Sequence, residues 1–392
     1  MQKKPTLLFV LGTRPEAIKC ASVIQACRAD ADLDTRVLTT SQHRALQDDV
    51  LQFFHIQVDH DLDLMREQPD LTSLIRDAWF GVSTYLHKNP TDMVLVQGDT
   101  TTAFIAALAA QYQRVPVAHI EAGLRTYDKS MPFPEEMNRR LISHSADLHF
   151  APTPAARENL IHEQIPAERI HVVGNPGIDA LLHILRQPQT EIPLHLDPQT
   201  RLLLVTSHRR ENWGENLRAI CAALRTIAQE CPNVHILFLV HPNPQVATLV
   251  NAALAHEKAI TLRSAVSYSQ MAGYLHAATV ILTDSGGIQE EAPVLGKPVL
   301  VLREKTERPE GVACASSFLV GANPEKMIAL TKRLLNDPAF YAAHAQPASP
   351  YGDGRAAQRI HQGICHSFNM AVAPVPFIPQ SQALSPEEMA DA

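Results

Sequence analysis

The sequence predicts an α/β protein made of two doubly wound Rossmann-like domains facing a cleft. Three observations lead there. Short runs rich in aliphatic and β-branched residues alternate with helix-length amphipathic segments almost throughout, the pattern of βαβ units and parallel sheets. A Pro-rich polar stretch, Gln187 to Thr200, separates two such series and reads as a linker. The length of 392 residues suits two or three domains, each with its own core.

The first domain, residues 1–186, has expected strands at Leu7–Leu11, Thr35–Thr39, Met93–Val96, Val115–Ile120 and Leu148–Ala151. After the linker at 187–200, the second domain (201–352) has them at Leu202–Thr206, His235–Val240, Ile260–Leu262, Val280–Thr283 and Val299–Leu302. A last helix is expected over 353–368. The remainder, 369–392, is rich in Pro, Ala, Gln and Ser and is expected to be disordered.

Composition narrows the function. The chain is 45% hydrophobic and 19% charged with a net charge of −7, and no block of like charge suggests nucleic-acid binding. Local clusters of Arg and His are therefore read as sites for small anions. The run Leu7–Leu11 is too short for a signal peptide, and no segment approaches the roughly 18 apolar residues that span a bilayer, so a cytoplasmic protein without a membrane partner is expected. The six cysteines show no Cys-x-x-Cys spacing; Cys20 and Cys27 should pack as small hydrophobes.

Ligands of doubly wound sheets bind at the carboxyl ends of the strands, so the residues just past each strand carry the argument. Leu11-Gly-Thr-Arg-Pro-Glu-Ala-Ile-Lys19 follows the first. Arg14 and Lys19 put positive charge near a helix start, where it opposes the macrodipole unless an anion offsets it; pairing of Glu16 with Lys19 is the plainer reading. Gln97-Gly-Asp-Thr-Thr-Thr102 follows the third, and Asp99 is either a cap or a catalytic acid. His119-Ile-Glu-Ala-Gly-Leu-Arg125 brings Glu121 to the same edge, and Pro132 to Arg140 opens a helix with Glu135 and Glu136 in its first turn, where the dipole favours carboxylates in any case. Carboxylates gathered at one sheet edge are the groups proton transfer requires.

In the second domain Thr206-Ser-His-Arg-Arg-Glu-Asn212 places His208, Arg209 and Arg210 past a strand, which suits a diphosphate. His241-Pro-Asn-Pro244 follows the next strand, and Arg303 to Glu310 adds Arg308. Most informative is Val280-Ile-Leu-Thr-Asp-Ser-Gly-Gly-Ile-Gln-Glu-Glu-Ala292. Here a buried strand breaks at Asp284, Ser285 can cap a helix over Ile288–Leu295, and bare backbone at Gly286 and Gly287 admits an anion to the helix's unpaired N–H groups. Glu291, one turn inside, could hold two ribose hydroxyls. An ordinary capped turn is the alternative. The pairs His55/His60 and His144/His149 lack metal-ligand spacing, so no metal is expected. With neither Gly-x-Gly-x-x-Gly after the first strand nor Gly-x-Ser-x-Gly, no cofactor is expected either.

Together these segments resemble the non-hydrolysing UDP-N-acetylglucosamine 2-epimerases. The resemblance rests on Gly-Thr-Arg-Pro-Glu-Ala-Ile-Lys (12–19), Gly-Asp-Thr-Thr-Thr (98–102), Glu-Ala-Gly-Leu-Arg-Thr (121–126), Pro-Glu-Glu (134–136), His-Arg-Arg-Glu (208–211), Thr-Asp-Ser-Gly-Gly-Ile-Gln-Glu-Glu-Ala-Pro (283–293) and Thr-Glu-Arg-Pro-Glu (306–310). It implies a glycosyltransferase-B type of fold, a homodimer, and interconversion of UDP-GlcNAc and UDP-ManNAc by elimination and re-addition of UDP through 2-acetamidoglucal, supplying cell-surface polysaccharide synthesis. A hydrolysing epimerase or a glycosyltransferase on the same fold is the alternative. By the same resemblance Asp99, Glu121, Glu135 and His208 form the catalytic set, and Arg14, Lys19, Arg209, Ser285, Gly286, Gly287, Glu291 and Arg308 bind substrate. Gln42, His43, Arg44, Glu136, Arg210 and His241 match positions where bacterial members bind a second, activating UDP-GlcNAc. Against activation here, the loop 65–70 lacks the Gly-Gln common there and Asp49 replaces a usual glutamine.

Overall fold

The computed structural model describes residues 4–41, 44–64, 70–187, 194, 196–264 and 266–380, with backbone alone at 44–46 and 210. Two compact units emerge: Met1–Ala180 with Tyr351–Pro379, and Leu181–Pro350 with Gln380–Ala392.

In chain order the first unit runs β1 (Thr6–Leu11), α1 (Arg14–Ala29), β2 (Asp34–Thr39), α2 (Arg44–Phe53), β3 (His60–Asp61), α3 (Leu71–Lys88), β4 (Met93–Gln97), α4 (Thr101–Tyr112), β5 (Val117–Ile120), α5 (Glu135–Ser145), β6 (Leu148–Ala151), α6 (Pro154–His162), β7 (Ile170–Val172) and α7 (Pro176–Leu185). The division between units falls inside α7. The second unit continues with β8 (Arg201–Ser207), α8 (Glu215–Glu230), β9 (Val234–Val240), α9 (Pro244–Leu254), β10 (Ile260–Arg263), α10 (Tyr268–Ala277), β11 (Val280–Thr283), α11 (Gly286–Val294), β12 (Val299–Val301), α12 (Pro309–Ala313), β13 (Ser317–Leu319), α13 (Pro324–Asn336) and α14 (Pro338–His344). The chain then returns to the first unit with α15 (Ala356–Ser367).

Each unit has one wholly parallel sheet, of order β3-β2-β1-β4-β5-β6-β7 in the first and β10-β9-β8-β11-β12-β13 in the second. Helices cover both faces of such sheets, which is why the central strands are continuous apolar runs rather than alternating ones. Leu8, Val10, Val94 and Val96 pack one face of the first sheet against α3, α4 and α5; Leu203, Val205, Ile236, Phe238, Val280 and Leu282 do the same in the second against α8, α9 and α13. Each such side chain contributes on the order of 1.5–3 kcal/mol by leaving water. α4 shows how residue size sets spacing: Ala103, Ala106, Ala107, Ala109 and Ala110 are all fully buried, letting α3 and α5 close over it.

In each sheet the strand order reverses once, between β1 and β4 and between β8 and β11. The loops leaving the two strands diverge at that point and open a crevice, the usual ligand site of doubly wound sheets.

One expectation is overturned. The segment from Asn369 was expected to be disordered, yet it is ordered through Gln380. The Phe377 N–H donates to the Val172 carbonyl at 2.8 Å, its ring is 2% exposed, and the Arg359 guanidinium lies 5.6 Å from the ring centroid. One buried aromatic anchors a segment whose composition alone argues for disorder. Residues 381–392 lie outside the described chain. Among the described residues no helix is long and apolar enough to cross a membrane.

Candidate functional site

At the reversal point of the first sheet, Gly12 and Thr13 leave β1 and Gly98 to Thr100 leave β4. Gly12 must be glycine because a Cβ there would run into the Thr102 side chain. Glu16 ties the two loops together: it accepts from the Gly12 N–H (3.0 Å), the Thr13 N–H (2.6 Å) and the Thr100 hydroxyl (2.7 Å). Full burial pushes its carboxyl up to about 7, against the pull of those three donors. Glu16 thus caps the start of its own helix through the Thr13 N–H instead of pairing with Lys19.

Lys19 reaches Glu121. Glu121 sits at φ +65°, a left-handed conformation that costs a β-carbon residue energy, and three donors hold it there: Lys19, the Gln97 amide, and the Asn175 amide at 3.1 Å. Strain retained at a buried carboxylate with three directed donors marks a functional position. Beside it the His119 Nε2–H donates to the Gly98 carbonyl at 2.7 Å, and burial lowers the His119 pKa to about 4, so the ring stays neutral.

Thr100, not Asp99, caps α4, accepting from the Ala103 N–H at 3.0 Å. Asp99 instead receives the Arg139 guanidinium of α5, and the Asn138 amide donates to its carbonyl at 3.0 Å. Glu135 opens α5 with Oε2 buried and no hydrogen-bond partner among the described residues. An unpartnered buried carboxyl oxygen is costly unless a proton or a ligand donor meets it. Arg14 is half-buried at the first position of α1.

At the reversal point of the second sheet Asp284 directly follows β11, fully buried, and organises the loop leaving β8. It accepts from the Ser207 hydroxyl (3.1 Å), the His208 and Arg209 N–H groups (3.0 Å each) and the Asn212 amide (2.8 Å). Asp284 Oδ1 also lies 3.1 Å from His208 Nδ1. A carboxylate at Nδ1 selects the tautomer protonated there and leaves Nε2 as the working atom. Partial desolvation (43% of the side chain is exposed), with Arg209, His241 and Arg303 nearby, holds the His208 pKa below its ordinary value, while Asp284 opposes the shift.

The helix beyond begins two residues earlier than expected, at Gly286, and Ser285 stands at its N-cap position without a side-chain capping bond. The Ser285 N–H donates to the Thr283 hydroxyl at 3.0 Å. The two glycines differ. A Cβ at Gly286 would come within 2.5 Å of Arg308 Cζ, whereas one at Gly287 meets nothing nearer than the Ser285 hydroxyl at 4.0 Å. The space on the Cβ side of Gly286 is thus filled by Arg308, while that of Gly287 is open. Arg308 is held at 2.7 Å by Glu290 and also by Glu307, which in turn binds Arg303 at 2.8 Å. Burial raises the Glu307 pKa, but Arg308 and Arg303 outweigh it and hold it well below the carboxylate range. Arg209 keeps its Nε buried and without a partner among the described residues, a donor suited to an oxyanion. Glu291 accepts from the Tyr268 hydroxyl at 2.7 Å, both side chains buried.

Of the expected second-site residues, Gln42 and His43 and the side chains of Arg44 and Arg210 lie outside the described residues. Glu136 spends both oxygens on the Thr126 and Tyr127 N–H groups, each at 3.0 Å, and so shapes its own loop. His241 Nδ1 accepts from the Asn243 N–H at 3.0 Å, and its ring is 5.9 Å from that of Trp213. Sequence reasoning missed Gln97, Asn175, Arg139, Asn212, Glu290 and Glu307 as supports. The Asn175 signal was present in Gly-Asn-Pro-Gly (174–177), but the three-residue strand before it was too short to notice.

A family model described as UDP-N-acetylglucosamine 2-epimerase matches residues 25–365. The chain is 45% identical over 367 residues to the UDP-N-acetylglucosamine 2-epimerase of Yersinia pestis, covering 91% of this chain and 98% of that protein. It is 43% identical over 367 residues to the Escherichia coli K12 enzyme of that name, with the same coverage. Among solved structures, the Neisseria meningitidis UDP-GlcNAc 2-epimerase bound to UDP-GlcNAc superposes with a TM-score of 0.89 at 40% identity, covering 92% of this chain and all of that one.

Proposed function

The chain belongs to the UDP-N-acetylglucosamine 2-epimerase family, with the glycosyltransferase-B type of fold and the isomerase activity of its non-hydrolysing members, and on that premise we propose how its residues interconvert UDP-GlcNAc and UDP-ManNAc. Carbon 2 of the sugar has no neighbouring carbonyl, so its proton is not acidic at rest. If the C1–O bond to UDP breaks first or in concert, positive charge on C1 acidifies it. A base then takes the C2 proton while the C1–O electron pair leaves with the diphosphate, giving 2-acetamidoglucal. Protonation of C2 on the opposite face and return of the diphosphate oxygen to C1 complete the epimerisation. No cofactor is required.

Asp99 and Glu121 are the base and acid at C2, with Glu135 supporting them. His208 stabilises or protonates the departing diphosphate. Arg14, Lys19, Arg209, Arg308, Ser285, Gly286 and Gly287 hold the phosphates, and Glu291 the ribose. The observation that carries this reading is Asp284, which pins the His208 imidazole and the Arg209 backbone beside the amino end of α11. That arrangement sets the His208 ring, Arg209 and the helix amino end where a leaving diphosphate needs positive potential.

Epimerisation in deuterated water must place deuterium at C2 of the product; unlabelled UDP-ManNAc would sink the mechanism. The proposal extends to a cytoplasmic homodimer. Supporting the dimer, Phe80 and Tyr112 are 73% and 76% exposed on the adjacent helices α3 and α4. Sedimentation equilibrium tests it, and a monomer at micromolar concentration overturns it.

A further inference from the structure

Where α15 packs on α1, three side chains of metal-ligating type meet outside the site described above. Asp30 is the C-cap residue of α1, and His361 and Cys365 stand one turn apart on α15. Asp30 Oδ2 lies 2.8 Å from His361 Nε2 and 3.7 Å from Cys365 Sγ, and Sγ lies 3.5 Å from Nε2. Metal-ligand bonds of about 2.0–2.3 Å at tetrahedral angles put neighbouring donors about 3.3–3.6 Å apart. Two edges of the observed triangle fall within about 0.1 Å of that range. The third, the His–Asp hydrogen bond, needs only to open by about half an ångström.

The surroundings suit a cation as well. The Asp32 N–H donates to Asp30 Oδ1 at 2.9 Å, which orients the carboxylate so that Oδ2 faces the other two donors. Cys365 is buried while the Asp30 and His361 side chains are 23% and 25% exposed, so solvent reaches the cluster from one side. The histidine pairs weighed from the sequence missed this site because its ligands are of three different types, and one of them comes from the other end of the chain.

We propose that Asp30, His361 and Cys365 bind one Zn²⁺ ion that clips the returning C-terminal helix α15 to α1. On binding, the Cys365 thiol releases one proton to solvent and its sulfur pair goes to the metal; the hydrogen on His361 Nε2 moves through solvent to Nδ1, freeing the Nε2 lone pair, so that the His361–Asp30 hydrogen bond is replaced by two metal bonds. Because the ligating sulfur must be a thiolate, binding releases a proton and tightens as pH rises.

The test is titration of the untagged, full-length, metal-free protein with Zn²⁺ by calorimetry, alongside Co²⁺ followed by absorption. Expected are one ion per chain, a dissociation constant at or below about micromolar, a thiolate-to-cobalt charge-transfer band, and a raised melting temperature. Cys365→Ser and His361→Gln should each weaken binding on the order of 100-fold and abolish the melting shift. Absence of the charge-transfer band in the unaltered protein, or unchanged affinity in both variants, overturns the proposal and leaves a plain His–Asp hydrogen bond. Because the cobalt band is read on the native chain, a variant that fails to fold does not leave the question open.

Discussion

The two sheet reversal points share a topology and carry opposite chemistry. At the first, acids are the functional groups and cations or amides hold them: Lys19, Gln97 and Asn175 on Glu121, and Arg139 on Asp99. At the second, an imidazole and an arginine are the functional groups and acids hold them: Asp284 on His208, and Glu290 and Glu307 on Arg308. The difference is thermodynamic as well as geometric. In the first unit burial raises Glu16 and Asp179 to about 7, whereas in the second Arg308 and Arg303 hold Glu307 down despite its burial. A doubly wound sheet therefore supplies a place for chemistry, and the partners of each charged side chain decide which chemistry.

The largest expected effect breaks the acid side. Glu121→Gln should lower kcat at least about 100-fold with half-saturation little changed, measured by product NMR; near-normal turnover would remove Glu121 from catalysis. On the cationic side, Asp284→Asn turns an amide N–H₂ toward groups that all donate to Asp284 now. It should cost about 2–3 kcal/mol, read as a lower melting temperature and weaker UDP binding by calorimetry; a variant matching wild type in both would mean that Asp284 does not organise the loop.

A paired substitution sharpens the account of the phosphate end. Gly286→Ala must displace the Arg308 guanidinium and should weaken UDP binding about tenfold, a cost of about 1.4 kcal/mol. Gly287→Ala has space for its methyl and should stay within about twofold unless the ligand occupies that space. Equal losses would show that the ligand needs both positions bare.

The smallest effect is the pH contrast. A folded pKa raised above the unfolded value means stability present below the unfolded value, 4.5 for Glu16, and lost as pH climbs through about 7. Glu16→Gln, a neutral mimic, should match wild type near pH 5 and melt a few degrees higher at pH 8. For Glu307 the sign reverses: its lowered pKa gives stability above 4.5 that is lost in acid. Calorimetric melting across pH 3–8 checks both, and a Glu16→Gln variant with wild-type pH dependence would rule out the first.

Much of this was legible in the chain itself. Buried strands write themselves as aliphatic runs, so nearly all the central strands and the polar residues after them could be located; Leu148–Ala151 and Val280–Thr283 agree to the residue. The edge strands β3, β7 and β13 were not legible, because two or three residues cannot show a period. Their loss hid Asn175. The ordered segment through Phe377 was hidden for a different reason, since composition averages over a stretch that one aromatic can anchor.

The sequence by itself determined which residues stand at the strand ends and their charge, because local periodicity and turn chemistry act over a few residues. Tertiary structure alone decided their partners: Lys19 with Glu121 rather than Glu16, Asp99 with Arg139, Arg308 in the space left by Gly286, His361 and Cys365 beside Asp30. Those pairings join residues from 22 to 335 positions apart. Charge attracts through space and not along the chain, so only the packed fold sets which opposite charges meet.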